Sequence, residues 1–254
     1  MNDTSTTLLT SRLYGFPQCV NEPFWLFDND ADLKVHPKYQ DAKAGGVEAA
    51  VELVSDLALD FLVSIKDKLP CDAIYIAPHA REATGDNAIP QVLATASAIV
   101  AQGEVETDIV QVTRVYHTGA DPMERMCLRP EFEGAVIQGA RYVLVDDVTN
   151  MGGTLVELAN YLQSSGGLVV AVIVLVNAGR IKQFQPTRKV IRELEKRYLH
   201  EIEEIFGIIP SALTANEANY LIGFRTTDEI RNRLAKARKE TNHRLRSKGI
   251  ERQG

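Results

Sequence analysis

The longest uninterrupted apolar run of the chain is LVVAVIVLV, at residues 168–176. Nine residues are too few to cross a bilayer as a helix. A strand that is apolar at every position has to be covered on both faces, which is typical of parallel sheets. Residues 141–146 form a second apolar strand, and residues 153–164 between the two have the pattern of an amphipathic helix. This strand, helix and strand predict a β-α-β unit and an α/β fold.

The segments before this unit continue the same alternation. Apolar residues at three- and four-residue steps predict a helix over residues 47–65. Strands are predicted at 72–78 and 107–115, with a helix near 88–101 between them. Residues 116–134 are polar and too long for an ordinary connection, so we expect them to be mobile or functional. Together these segments predict a parallel sheet flanked by helices.

Beyond the last strand the sequence becomes charged and helical. Residues 188–206 have the spacing of an amphipathic helix. Two capping boxes follow, each with a threonine at the cap and a glutamate three residues later: Thr214 with Glu217, and Thr226 with Glu229. We therefore predict an N-terminal segment at 1–45, a core domain at 46–187 and a helical C-terminal appendage at 188–254.

Composition narrows the classes of protein. The net charge of −6 argues against extensive nucleic-acid binding, yet residues 225–254 carry ten Lys or Arg against four Asp or Glu. This basic tail is considered separately. The three cysteines have neither zinc-site nor disulfide-framework spacing. The N-terminus lacks the pattern of a secretion signal, so we expect a cytoplasmic protein that does not enter a membrane.

Two adjacent acids followed by two glycines lie where the strand at 141–146 gives way to the next helix. Asp146 and Asp147 fall at the carboxyl end of a predicted parallel strand, where open sheets bind ligands. Side chains of consecutive strand residues point to opposite faces, so we expect the chain to leave the extended conformation here. Gly152 and Gly153 allow a close backbone approach, and a helix N-terminus favours anions. The pattern indicates a sugar phosphate, although two solvated acids beside a simple turn would give the same sequence.

The stretch VLVDDVTNMGGTL, at residues 143–155, resembles the phosphoribosyl pyrophosphate (PRPP) signature of type I phosphoribosyltransferases. The resemblance implies that Asp146 and Asp147 hold the ribose hydroxyls and that the turn at 150–154 binds the 5-phosphate. One departure is that the second residue of this turn, often a threonine in the family, is a methionine. The substrate-binding residues implied here are Asp146, Asp147, Thr149, Asn150, Met151, Gly152, Gly153 and Thr154.

Two further segments stand where the family has functional loops. IAPHAREATGDNAIPQVLA, at residues 76–94, resembles the pyrophosphate loop, with Arg81, Gly85 and Asn87 as implied contacts. The polar segment at 116–134 takes the place of the mobile catalytic loop. The positive side chains of this segment, together with the arginine at 114, would stabilise a departing pyrophosphate. The residues alone are also compatible with a solvated basic loop. The residues concerned are Arg114, His117, Arg125 and Arg129, and with the Asp pair we assign catalytic roles to Arg125 and His117.

The resemblance implies transfer of ribose 5-phosphate from PRPP to a nitrogen nucleophile such as a nucleobase. Magnesium would be held mainly by the substrate, with Asp146 or Asp147 contacting it through water. The N-terminal segment is a candidate hood over the acceptor, through Phe24, Trp25 and Phe27; Asn177, Arg180 and Phe184 are the other candidates. A homodimer fits the resemblance, and the order of the motifs is most similar to the ComF-like branch.

A second hypothesis is a non-catalytic protein that binds PRPP or a nucleotide and acts as a regulator. The basic tail could then contact DNA, because two short capped helices resemble a helix-turn-helix. Arg231, Arg233, Lys236, Arg238 and Lys239 would bind phosphates.

Overall fold

The structure, a computed structural model, describes residues 11–79, 87–112 and 121–247. Its strands are β1 (Phe24–Phe27), β2 (Ile74–Ile76), β3 (Glu104–Glu106), β4 (Val110–Gln111), β5 (Phe132–Glu133), β6 (Arg141–Thr149) and β7 (Leu168–Asn177). Its α-helices are α1 (Ala31–Lys34), α2 (Tyr39–Lys43), α3 (Val47–Ile65), α4 (Ile89–Ala101), α5 (Pro122–Cys127), α6 (Gly153–Ser164), α7 (Arg188–Phe206), α8 (Ala215–Ile222) and α9 (Thr227–Ser247).

Five parallel strands form the central sheet, in the order β1-β7-β6-β2-β3. The α/β fold predicted from the sequence is confirmed. The pairing of β2 with β6 ends where Ile76 lies opposite Leu144. Strand β6 continues past this point to Thr149, paired on its other side with β7. The final residues of β6 therefore border an open space at the carboxyl edge of the sheet.

The two faces of the sheet are covered by different helices. Alternate residues of β6, such as Val143 and Val145, pack in one cluster with α3 and α4. The residues between them, such as Leu144, pack in a second cluster with α6. Strand β7 is divided in the same way and is buried at almost every position. Double coverage is therefore why its sequence is an apolar run rather than an alternation.

A third apolar cluster joins the C-terminal helices to the core. It contains residues of α7, α8 and α9, together with Met123 and Met126 of α5 and Met151 of the turn before α6. The helix at 188–206 has the predicted bounds, with a kink at Tyr198. The Thr214–Glu217 capping box is present at the start of α8. At α9, Thr226 accepts a hydrogen bond from the Glu229 N–H, whereas the Glu229 carboxylate accepts from Arg225 N–H.

Of the predicted strand at 107–115, the described residues contain β4, Val110–Gln111, which does not join the central sheet. The parallel edge strand is β3, at Glu104–Glu106, and it pairs with β2. Residue Gln102 ends α4 in a left-handed conformation, with φ of 60°, so the chain turns back early. A Cβ at Gly103 would come within 2.6 Å of the Tyr75 ring, so this tight return requires glycine. Strand β4 then pairs with β5 in a separate antiparallel ribbon.

Two other segments differ from the expectations. Strand β1, which the predicted boundary at residue 46 excluded from the core, is an edge strand of the central sheet. In the segment at 116–134, which was expected to be mobile or functional, the described residues 121–134 contain α5 and β5, and Met123 and Met126 are buried. Apolar anchors therefore fix this described part of the loop. Among the described residues, no helix is long and apolar enough to cross a membrane.

Candidate active site

A cavity of about 360 Å³ lies at the carboxyl end of β6. Its walls are α1 and α2, the end of β6, the turn at 150–154, α5 with the residues after it, and one residue of α8. This is the edge at which open parallel sheets bind ligands. The charged residues that line the cavity are Asp30, Lys34, Lys43, Arg125, Arg129, Asp146, Asp147, Glu157 and Glu217.

Asp146 and Asp147 both line this cavity, but not in the way expected from the sequence. Strand β6 remains paired through both residues to Thr149, so the expectation that the chain leaves the extended conformation is wrong. The two carboxylates reach one cavity because β2 ends earlier and leaves that side of β6 open. Each carboxylate also accepts the next backbone N–H, from Asp147 to Asp146 and from Val148 to Asp147, both at 2.9 Å.

The Asp146 carboxyl group has a perturbed pKa. The residue is half-buried and lines the cavity. Burial raises the pKa of Asp146 well above its ordinary value, the adjacent Asp147 carboxylate raises it further, and Lys43 partly opposes both. Asp146 therefore takes up a proton at a higher pH than an exposed aspartate.

Lys43, at the end of α2, is the internal partner of the Asp pair. Its Nζ lies 2.7 Å from Asp147 Oδ2. Burial lowers the pKa of the Lys43 ammonium, but the attraction of Asp147 outweighs this and leaves the pKa above its ordinary value. Lys43 thus remains charged and compensates one of the two carboxylates. Tyr39, one turn earlier on α2, also lines the cavity.

The turn at 150–154 joins β6 to α6. Gly152 is the N-cap of α6 and has φ of 78°, a left-handed conformation that favours glycine. The first N–H groups of a helix have no intrahelical acceptor, so those at Gly153 and Thr154 are available to an anion. The Met151 side chain points away from this role, because it is buried in the cluster formed with the C-terminal helices.

Four buried charges lie behind the turn. Arg12 is fully buried and donates two hydrogen bonds of 3.0 Å to the Glu217 carboxylate. Its Nε lies 3.1 Å from Glu157 of α6, and Arg129 donates to the same Glu157 oxygen at 2.8 Å. Burial raises the pKa of Glu157, and the two arginines partly oppose that shift. The cluster contains two positive and two negative side chains, so its charges compensate one another.

The cavity brings together most of the residues singled out in the sequence. Its lining includes Asp146, Asp147, Thr149, the whole turn at 150–154 and Arg125. Asn87 does not line it; the Asn87 carboxamide accepts a hydrogen bond of 3.2 Å from the Ile89 N–H at the start of α4. Four other predicted residues lie outside the described ranges: Arg81, Gly85, Arg114 and His117.

The aromatic candidates for a hood have other places in the structure. Phe24, Trp25 and Phe27 belong to β1, where they pack against the sheet clusters. Phe184 is buried and stacks on Phe16 with ring centroids 4.0 Å apart. Their positions within the folded core explain the aromatic side chains without an acceptor base.

Sequence reasoning missed three residues from outside the predicted core that line the cavity, Tyr39, Lys43 and Glu217, and the buried Arg12 that pairs with Glu217. Lys43 and Tyr39 come from a five-residue helix with no distinctive pattern. Arg12 precedes every predicted element, and Glu217 was recognised only as part of a capping box. The Glu217 carboxylate has both roles: it pairs with the buried Arg12, and it accepts the Thr214 N–H at 2.9 Å as part of the capping box.

Residues 88–208 match the family model described as "Phosphoribosyl transferase domain". This range includes the Asp pair, the turn at 150–154 and α5. This match confirms the resemblance to the phosphoribosyltransferase family that was found in the sequence.

The similarity to known proteins covers only part of each relative. Protein TraN of Escherichia coli is 37% identical over 219 residues, which cover 84% of this chain and 49% of TraN. Adenine phosphoribosyltransferase of Chlorobaculum tepidum is 32% identical over 75 residues, 30% of this chain and 39% of that enzyme. The chain thus spans half or less of the length of these relatives. The crystal structure of adenine phosphoribosyltransferase from Thermoanaerobacter pseudethanolicus aligns over 50% of this chain and 72% of its own, with 18% identity and a TM-score of 0.33.

Proposed function

We propose that the protein is a phosphoribosyltransferase that transfers the ribose 5-phosphate group of PRPP to a nitrogen nucleophile, such as a nucleobase, and releases pyrophosphate. The observation that carries the proposal is one cavity lined by both carboxylates at the end of β6 and by the turn that opens α6. Carboxylates accept hydrogen bonds from ribose hydroxyls, and the N-terminus of a helix binds phosphate. A sugar phosphate carries hydroxyls and a phosphate in one molecule, so its site needs the carboxylates and the helix N-terminus in the same cavity.

The chemistry follows from this placement. The bond between ribose C1 and the pyrophosphate oxygen breaks, with the electron pair leaving on pyrophosphate. The bond between C1 and the acceptor nitrogen forms, and the nitrogen loses its proton to water. Positive charge develops on the ribose, where Asp146 and Asp147 would stabilise it, while Arg125 at the same cavity would stabilise the leaving group. Catalysis of this kind depends on positioning and electrostatics and requires no side-chain nucleophile. We also propose pyrophosphate contacts from the two loops that the resemblance assigns to this group: Arg81, Gly85, Asn87, Arg114 and His117.

We propose that magnesium arrives with the substrate. Within the described ranges, no group of three His, Cys, Asp or Glu side chains could hold a metal ion. Magnesium keeps several waters and is bound in proteins through one or two carboxylates plus substrate phosphates. Asp146 or Asp147 could supply such a contact, through water, and the ion would neutralise charge on the pyrophosphate.

Pyrophosphate release across a panel of purine and pyrimidine bases tests the proposal. With PRPP and magnesium, we expect one class of base to give release that depends on protein concentration and is lost in Asp146→Asn with Asp147→Asn. If none of the bases gives pyrophosphate release although PRPP binds tightly, the result would contradict transfer and would favour the PRPP-binding regulator. The exposed Arg231, Lys236, Arg238 and Lys239 of α9 would then be the DNA contacts to remove. Arg233 is already paired with Asp121.

A further inference from the structure

Thr214, at the N-cap of α8, is hydrogen-bonded to the turn that opens α6. Its hydroxyl donates to the Met151 carbonyl oxygen at 2.6 Å and accepts from the Glu217 N–H at 3.1 Å. The residue is 1% exposed, so water does not replace either bond. One buried hydroxyl therefore joins the C-terminal helices to the turn at 150–154.

The hydrogen bond determines the orientation of a peptide group within the turn. In a trans peptide the C=O and the following N–H point in opposite directions. Because the Met151 carbonyl is directed at Thr214, the Gly152 N–H is directed away from α8. The burial of the Met151 side chain among the C-terminal helices restricts rotation of the same peptide from the other side. The turn is thus held in one orientation before any ligand binds.

A carboxylate lies close to the turn, and its charge is compensated. A Cβ at Gly153 would lie 3.7 Å from Glu217 Oε1, so this oxygen is next to the first residue of α6. An isolated carboxylate here would repel a phosphate. The two hydrogen bonds from Arg12 to Glu217 compensate that charge within the protein.

We propose that Thr214 is a positioning residue for the phosphate group of the sugar phosphate, acting through Met151, and that the Arg12–Glu217 pair keeps the turn electrically suited to an anion. The inference rests on the proposed function, because it takes the turn at 150–154 as the site of the 5-phosphate. It makes the C-terminal helices part of the binding site. Preorganised N–H groups bind an anion more tightly than groups that must first be ordered.

The test compares Thr214→Val with Thr214→Ser by calorimetry, using PRPP, ribose 5-phosphate and pyrophosphate as separate ligands. Valine keeps the shape and removes the hydroxyl, so we expect at least a tenfold loss of affinity for PRPP and ribose 5-phosphate. Pyrophosphate lacks the 5-phosphate, and we expect its affinity to stay within about twofold. Serine keeps the hydroxyl and should restore binding. These expectations correspond to the loss of about one buried hydrogen bond.

Thr226→Val is the matched control, because Thr226 caps α9 in the same manner but is not bonded to the turn. We expect it to leave all three affinities unchanged. If Thr214→Val does not fold, Thr214→Gly replaces it, because glycine is tolerated at a helix N-cap, adds no charge beside the turn and lacks the hydroxyl that donates to Met151. Equal ribose 5-phosphate affinity of wild type and of the folded Thr214 variant would overturn the inference, as would an equal loss for pyrophosphate.

A measurement without ligand separates this inference from the proposed function. We expect the backbone amide NMR signals of Gly152, Gly153 and Thr154 to shift or broaden in Thr214→Val and not in Thr226→Val. Unchanged signals in Thr214→Val would overturn the positioning role. If wild type binds neither PRPP nor ribose 5-phosphate, the proposed function fails, and the amide signals alone still decide whether Thr214 orients the turn.

Discussion

Replacing Arg12 by methionine should destabilise the protein strongly. Arg12 is fully buried, and its removal leaves Glu217 without both of its 3.0 Å hydrogen bonds and Glu157 with Arg129 as its remaining arginine. Breaking a buried ion pair from one side costs about 3–5 kcal/mol, because an uncompensated charge stays in the interior. For a chain of this size, that corresponds to a decrease in Tm of roughly 6–20 °C.

Urea unfolding of Arg12→Met measures this loss, and two further variants identify its origin. Arg12→Met with Glu217→Gln removes the orphaned charge but keeps an acceptor for the Thr214 N–H, so it should recover about half of the loss. Arg197→Met, which removes an exposed pair with Glu193, should cost about 0–1 kcal/mol. A cost below about 1 kcal/mol for Arg12→Met, or a double variant no more stable than the single one, would refute this reasoning.

Three other substitutions test the cavity. Met151→Thr installs the residue common in the family. Because Met151 is buried, urea unfolding should show a free energy of unfolding lower by about 2–4 kcal/mol, and PRPP binding should not become tighter. The control Met151→Leu should cost below about 1.5 kcal/mol. Lys43→Met removes the cation that lowers the Asp146 pKa, so Asp146 should take up its proton at a higher pH than in wild type. In calorimetry at a series of decreasing pH values, the PRPP affinity of this variant should therefore begin to fall at a higher pH. Lys34→Met, whose partner is Asp30, should not cause this shift. Asp146→Asn should be more thermally stable than wild type above neutral pH. Because the folded pKa of Asp146 is raised, the wild type gains stability as the pH falls through that pKa, and the difference in Tm should vanish in acid. A constant difference across pH would contradict this assignment.

The sequence predicted the elements whose patterns are local and strong. The helices at 47–65, 153–164 and 188–206 have the predicted bounds, because each has a sustained apolar spacing of its own. The edge strand was misplaced because TDIVQVTRV, residues 107–115, has the composition of a strand, whereas β3 is fixed by the tight return at Gly103 against Tyr75. That contact joins two segments of the fold and leaves no local pattern.

The same distinction applies to the candidate site. The Asp pair and the turn are contiguous, so a short motif was sufficient to find them. Arg12 meets Glu217 across 205 residues and Lys43 meets Asp147 across 104 residues, so these pairs form only through the packing of the fold. The role of Met151 follows from the same packing. A missing hydroxyl at this position is explained by a buried side chain that holds the turn to the C-terminal cluster.

Calorimetry with PRPP and magnesium, on wild type and on Asp146→Asn with Asp147→Asn, tests the central claim most directly. If the cavity at the end of β6 is the PRPP site, wild type binds and the double variant loses affinity by at least about 100-fold, because hydrogen bonds to two charged groups are removed. A cooperative thermal transition of the variant would show that it remains folded. Equal binding by the two proteins, or no binding by wild type, would contradict the account.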